Sequence, residues 1–560
     1  MTTRSHLLLS LLGAALLTLA WPATGSLAPL LLFGLAPFFW ILEQRSKGHW
    51  TTWRKGTLWI LFLGLAVWNL ITTSWLGDVQ EGWETRLLLG VGVMLANAGL
   101  MLLPFGISMR IRRTAGPAWA WAAFVALWLS GEWAHMRWDL QWPWLTLGNG
   151  FASRPEWVQW YEVTGHLGGS LWVLLSNLFV LRVLLAWQKN EGSALARRKA
   201  LSAVAMILVP IAISWLRYTT WEERGPAIEV VVVQPNIDPY SEKFGGVDPL
   251  AQLEDMLTQA DAVMTDTTRL VLMPETALQE PAGLYFEDDG SLVLKGLWEN
   301  DIDASGSVGH IRTWLEKHPT ATVLTGMSSS RLFRNGETPS VTARPVRNSD
   351  TWFDAANSAL FVSTSPPAGV YHKSKLVAGV ELLPFEQLLG SLEALSIDMG
   401  GTTGSLAQQS ERECFSPVDR AFSAAPVICY ESVFGDYVAD YVRQGADLIT
   451  IITNDAWWGN TAGYRQHLAY ARLRAIETRR AVARSANTGI SCSINQRGDV
   501  SQATEWWVPT AIRCSVRLNR EISPFVRFGE WIAQIALLAG ACSLLAAGMI
   551  TWRTRRRRII

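Results

Sequence analysis

Three short segments carry side chains that together can perform acyl chemistry. Met273-Pro274-Glu275 supplies a carboxylate, Tyr371-His372-Lys373 an ammonium, and Ile428-Cys429-Tyr430-Glu431-Ser432 a thiol. A thiol is mostly protonated at neutral pH. It becomes a strong nucleophile when a base takes its proton or a cation stabilises the thiolate. Glu275 is the candidate base and Lys373 the candidate cation. Attack of Cys429 on an ester carbonyl builds negative charge on oxygen. A preorganised ammonium and a backbone N–H hold that charge, and a cysteine at a strand end exposes the amide of Tyr430 for the purpose. Singly, each residue has a plainer reading: Glu275 as a helix cap, Lys373 as a solvated charge, Cys429 as a small core residue. Their occurrence together in one chain favours the chemical reading.

The elements that must position these residues are those of an α/β domain. Strands are expected at Ile228–Val233, Arg269–Met273, Ala321–Gly326, Ser358–Ser363, Pro426–Tyr430, Asp447–Thr453 and Thr488–Asn495, and helices at Pro249–Met264 and His467–Arg484. Polar residues recur where a buried strand ends, as at Pro274-Glu275, Cys429 and Asn454-Asp455. Open α/β sheets place ligand chemistry there. Two irregular insertions, Gln279–His310 and Gly390–Pro417, are candidate lids or neutral solvated loops.

This block is flanked by apolar sequence. A bilayer core needs about 17–25 apolar residues as helix. The candidate spans are Leu7–Trp21, Leu27–Leu42, Gly56–Leu76, Leu87–Ser108, Ala118–Ser130, Gly168–Leu185, Ala200–Leu216 and Trp531–Thr551. The expected organisation is a transmembrane domain of about seven helices over residues 1–217, a catalytic domain over 218–528, and a last helix with a basic tail over 529–560. More apolar spans follow the first at once, which favours an uncleaved helix over a signal peptide. Arg45, Lys47, Arg54 and Lys55, then Arg110, Arg112 and Arg113, then Arg197–Lys199, then Arg553 and Arg555–Arg558 all fall on one side if there are eight spans. Both termini are then cytoplasmic and the large block lies on the other face. The loop Gly77–Thr85 instead carries Asp78, Glu81 and Glu84. The Trp-rich segment Trp138–Gly165 reads as an interfacial aromatic belt or a floor for a lipid substrate.

Lys and Arg balance Asp and Glu to a net charge of zero, so no global charge points to nucleic acid. The five cysteines show neither a disulfide framework nor a zinc spacing. No metal or organic cofactor motif is present, and thioester chemistry requires none.

Over residues 228–518 the chain resembles the nitrilase, or carbon–nitrogen hydrolase, superfamily. Pro274-Glu275, Tyr371-His372-Lys373, Cys429-Tyr430-Glu431 and Asn454-Asp455-Ala456-Trp457-Trp458-Gly459 carry the likeness. With its membrane frame and Ser523–Gly529, the chain is similar to the apolipoprotein N-acyltransferase family of bacterial inner membranes. The resemblance implies an αββα sandwich inserted between about eight transmembrane helices, with the catalytic domain in the periplasm. It implies a phospholipid acyl donor, a thioester on Cys429 and a diacylglyceryl apolipoprotein as acceptor. It further implies that Glu381 orients Lys373 or assists proton transfer, that Tyr430 and Glu431 shape the surroundings of the cysteine, and that Trp457, beside Asn454, lines the substrate entrance. Two other readings stay open on the same residues: a membrane-tethered amidase or nitrilase acting on a soluble substrate, and a membrane scaffold or transporter carrying an inactive domain.

Overall fold

The computed structural model describes residues 2–46, 50–79, 82–238, 248–286, 292–334, 336–346, 349–385 and 405–556. Lys47, Glu81, the acidic stretch 287–290, positions 390–404 of the second insertion and Arg557–Arg558 lie outside the described residues. The chain forms two compact units. One comprises Met1–Trp221, Thr461–Leu473 and Phe528–Ile560, and the other Glu222–Asn460 and Arg474–Arg527.

The first unit is helical. Among the described residues, six of its helices are long and apolar enough to cross a membrane: Thr3–Ala20, Gly56–Gly77, Trp83–Ala115, Tyr161–Gln188, Ser193–Thr220 and Trp531–Ile550. They give the chain the character of a multi-pass membrane protein. Two expected spans are not among them. Leu27–Leu42 is broken into Ala28–Leu30, Leu31–Gly34 and Ala36–Arg45. Pro29 and Pro37 lack the N–H that a continuous helix uses. Asn177 fills the break: its Oδ1 accepts from the amides of Leu35 and Ala36 at 2.8 Å each, and its Nδ2 donates to the Leu31 carbonyl at 3.0 Å. The expected span Ala118–Ser130 lies within the helix Pro117–His135, which carries Glu132 and is not among the six.

The Trp-rich segment contains two 3-10 turns, Leu147–Phe151 and Pro155–Trp157. Trp144 in it is buried, edge-on to Trp75 at 4.8 Å. Its carbonyl accepts from the Tyr470 hydroxyl at 2.7 Å, and that hydroxyl accepts from Trp21 Nε1 at 3.0 Å. Trp144 is therefore core rather than belt.

The second unit is a sandwich of two mixed sheets. Its strands in chain order are β1 (Ala227–Gln234), β2 (Thr268–Leu272), β3 (Gly283–Phe286), β4 (Leu292–Lys295), β5 (Thr322–Leu332), β6 (Arg344–Pro345), β7 (Trp352–Val362), β8 (Gly369–His372), β9 (Ala424–Ile428), β10 (Leu448–Thr453), β11 (Ala481–Ala486), β12 (Cys492–Ile494), β13 (Val500–Ser501) and β14 (Thr510–Arg517). One sheet runs β14-β1-β2-β5-β7-β6, with β8 on β7, and the other β13-β12-β11-β10-β9; β3 and β4 form a separate hairpin. In the first, β1, β2 and β5 are parallel; in the second, β9, β10 and β11 are. The latter three are buried along their whole length, as parallel strands covered on both faces must be.

The helices Pro249–Asp261 and Gly306–Leu315 cover the first sheet, setting Leu253, Met256, Val308 and Ile311 against Val231, Val271 and Val323. Ser485 of β11 donates to the Val233 carbonyl of β1 at 2.7 Å, joining the sheets.

The expected helix His467–Arg484 ends at Thr478, and its last residues are strand β11. Alanine has no strong strand preference, and pairing with β10 and β12 decides the conformation. Arg484 then lies wholly buried and is paired with Asp455 at 2.6 Å.

Gly326 of β5 lies against the turn that follows β2. Its amide donates to the Pro274 carbonyl at 3.0 Å, and its carbonyl accepts from Leu278 at 3.0 Å. A Cβ there would fall 2.3 Å from the Thr276 nitrogen and 2.6 Å from the Glu275 Cα. Gly326→Ala is therefore expected to destabilise the sandwich by about 1–3 kcal/mol, read as a lowered thermal midpoint. An unchanged midpoint would show that the turn yields without cost.

Candidate active site

Glu275, Lys373 and Glu381 form a row of charge in which Glu275 and Lys373 are buried and Glu381 is partly buried. Lys373 Nζ lies 2.9 Å from Glu275 Oε1 and 2.9 Å from Glu381 Oε1, and Lys373 is only 1% exposed. Two carboxylates against one ammonium leave an excess negative charge away from water, which fixed donors must offset. Asn357 Nδ2 on β7 bridges the carboxylates, at 2.8 Å from Glu275 Oε1 and 2.9 Å from Glu381 Oε1. The Asn454 amide donates to Glu275 Oε2 at 3.0 Å, and the Val377 amide to Glu381 Oε2 at 2.9 Å. Burial works to discharge the lysine. Glu275, then Glu381 and Cys429, more than reverse that and hold its pKa well above the ordinary value. It is a fixed ammonium.

Strand ends set these positions. Glu275 follows β2, where Met273 still pairs with Leu324 at 2.9 Å and Thr276 turns the chain with φ 47°. Lys373 follows β8, its amide bonded to the Asn357 carbonyl at 2.8 Å. Cys429 follows β9 and opens the 3-10 turn Cys429–Val433 with φ 49°. That left-handed value is uncommon for a residue with a Cβ and persists only where the surroundings impose it.

Glu431 supplies the constraint. It is wholly buried, and its carboxylate accepts from the Ile428 amide at 2.8 Å on one side of the cysteine turn. Its other oxygen accepts from the Ser374 amide at 2.7 Å, one residue past Lys373, and from the hydroxyls of Tyr371 (3.2 Å) and Tyr437. Glu431 thus ties the cysteine turn to the lysine loop. Burial raises its pKa, opposed by those donors.

The Cys429 thiol is held well above its ordinary pKa by burial first and by Glu275 second; Lys373 and a hydrogen bond with Thr453 pull it down. The resting pair is a neutral thiol facing a carboxylate and an ammonium. That arrangement can deprotonate the thiol on demand and stabilise an oxyanion.

The remaining residues singled out from the sequence fall around this row. Tyr430 is buried edge-on to Phe434 at 5.0 Å. Asn454 accepts from Asn487 Nδ2 at 3.1 Å through its side chain. Trp457 is half-buried in the turn Asp455–Trp458 that follows Asn454. Asn357, Asn487 and the Asp455–Arg484 pair were not anticipated. Asn357 just before the apolar run Ala359–Val362, and Arg484 inside a run of small residues, were the available signals. Among the described residues, no group of three or more His, Cys, Asp or Glu could hold a metal ion.

A family model of the carbon–nitrogen hydrolases matches residues 230–520, and a model of the apolipoprotein N-acyltransferase N-terminal domain matches residues 13–179. The apolipoprotein N-acyltransferase of Chlorobaculum tepidum is 29% identical over 94% of this chain and 93% of its own. That of Azotobacter vinelandii is 28% identical over 98% of this chain and 95% of its own. Among solved structures, an amidase of the nitrilase superfamily from Nesterenkonia aligns with TM-score 0.36 at 13% identity, covering 56% of this chain and 97% of its own.

The charges around the thiol make opposite demands on its titration. With the other cysteines replaced by alanine, Cys429 alkylation by a small haloacetamide is expected to rise only above the ordinary thiol pKa of about 8.5. Glu275→Gln removes a negative neighbour and is expected to shift that profile to lower pH. Lys373→Met removes a positive one and is expected to shift it to higher pH, provided its thermal midpoint shows it folded. Unmoved or reversed shifts would mean that these charges do not govern the thiol.

Proposed function

The chain belongs to the carbon–nitrogen hydrolase family, and we propose that it is an acyltransferase that moves an acyl chain from a membrane phospholipid to the N-terminal amine of a diacylglyceryl-cysteine on an apolipoprotein. The observation that carries this reading is the largely buried Glu275–Lys373–Glu381 row beside a strand-end cysteine. The six apolar helices and the nearly full-length likeness to named acyltransferases support lipid rather than a soluble amide as substrate.

In the first step Glu275 takes the Cys429 proton and the sulfur attacks the ester carbonyl. Lys373 and the Tyr430 amide hold the oxyanion. The intermediate collapses to a thioester, and the departing lysophospholipid oxygen takes the proton from Glu275. In the second step the acceptor amine attacks the thioester, Glu275 takes an amine proton, and the thiolate leaves to recover it. An amide forms and the enzyme returns to its starting state. Glu381 positions Lys373, Glu431 holds the cysteine turn, and Asn454 and Trp457 belong to the substrate side. The catalytic domain, residues 218–528, is assigned to the periplasm of the inner membrane, between about seven helices and a last one, with both termini cytoplasmic. The basic clusters around Arg45, Arg110, Arg197 and Arg553 support this orientation.

Purified protein, a phospholipid with a tagged acyl chain and a diacylglyceryl lipopeptide test the reading. A lipopeptide gaining one tagged acyl group is the expected product. Cys429→Ala is expected to abolish it, Cys429→Ser nearly so, and Lys373→Ala to slow it on the order of a hundredfold. Continued acylation by the alanine variant would remove Cys429 from the mechanism.

A further inference from the structure

We propose that Trp506 and Trp507 are the apolar rest for the acyl chain carried on Cys429, and so determine specificity for long chains. This inference rests on the acyl-transfer reading above. The two rings lie in the loop between β13 and β14, 5.8 Å apart and tilted by 37°. Trp507 is 43% exposed and Val508 beside it 40%. Adjacent large apolar groups at the surface, unlike singly scattered ones, form a patch that can take an apolar partner.

The loop is built to hold them. Trp507 has φ +62°, a conformation that bulky side chains rarely adopt unless the surroundings impose it. Its amide donates to the Thr488 carbonyl at 2.7 Å. The fully buried Gln234 at the end of β1 grips the loop on both sides of the pair, donating to the Glu505 carbonyl at 2.8 Å and the Val508 carbonyl at 2.9 Å. Its oxygen accepts from the Thr504 hydroxyl at 2.7 Å and the Ser491 hydroxyl at 2.9 Å. A loop pinned by a buried amide, with the Trp507 ring exposed and the Trp506 ring partly buried beside it, is a preformed contact.

Its place is set by the order of the second sheet. Cys429 stands at the end of β9, Asn454 at the end of β10 and Asn487 at the end of β11. The Asn487 amide bonds the Thr453 carbonyl at 3.0 Å, and its side chain bonds Asn454, whose amide bonds Glu275. Trp507 hangs from Thr488, the next residue along. Three spacings of about 4.8 Å separate the cysteine from the Trp507 backbone, roughly 14 Å. The half-buried Trp457 and Trp458 occupy the strand end between them. A palmitoyl group tethered to Cys429 Sγ spans that distance along the strand ends, and a butyryl group stops well short.

Chain length therefore tests the inference. Full-length protein and the double variant Trp506→Ala/Trp507→Ala are compared in detergent micelles, with single-turnover thioester formation from palmitoyl and from butyryl phospholipid read by intact mass. The palmitoyl rate is expected to fall about tenfold or more while the butyryl rate stays within about twofold. Alkylation of Cys429 by a small haloacetamide is expected to be unchanged, and Trp506→Phe/Trp507→Phe to recover most of the palmitoyl rate. An unchanged palmitoyl rate in the alanine variant overturns the inference. So does an equal loss for both chain lengths, which would make the pair structural. Wild-type protein that forms no adduct with either phospholipid would overturn the acyl-transfer reading itself.

Discussion

A buried lysine between two carboxylates is the interaction on which the rest of the site depends. Lys373 is paired with both Glu275 and Glu381 and is nearly inaccessible to water. Removing Lys373 would leave two carboxylates uncompensated away from water, at a cost of about 3–5 kcal/mol. The amides of Asn454 and Val377 and the side chain of Asn357 absorb the remaining negative charge. The geometry is consequently fixed before a substrate arrives, as the proposed stabilisation of an oxyanion requires.

The sandwich meets that demand by gathering strand ends. Glu275, Lys373, Cys429 and Asn454 each stand just past a strand, so four separate backbone turns converge while the hydrogen-bonded ladders behind them stay intact. Glu431 converts proximity into registration, since one carboxylate holds amides from both the cysteine turn and the lysine loop. Close packing of Gly326, on the neighbouring strand, under the Glu275 turn serves the same end. Burial first and Glu275 second raise the pKa of the thiol, which favours its protonated form.

How much of this was legible in the sequence depended on whether a residue's neighbours in the chain reveal its surroundings. Pro274-Glu275 and the cysteine segment follow apolar runs that end abruptly, so their placement at strand ends could be read directly. Asn357, Asn487 and Gln234 act through partners far along the chain, in one case 271 residues away, and no local pattern announces them. The stretch up to Arg484 reads as helix because its small residues are compatible with one, and only sheet pairing and the Asp455 partner reveal a strand. The span expected at Leu27–Leu42 was already short for a crossing, and two prolines and the Asn177 side chain favour a broken path.

The most direct test of the account is to trap the acyl-enzyme and then discharge it. Wild-type protein is mixed with tagged phospholipid alone, the intact mass recorded, and a diacylglyceryl lipopeptide added. The account requires one hydroxylamine-sensitive acyl group on Cys429, which disappears as the same tag appears on the lipopeptide amine. A tagged lipopeptide formed with no acyl group ever residing on Cys429, or an adduct on Cys429 that the amine cannot discharge, would contradict it.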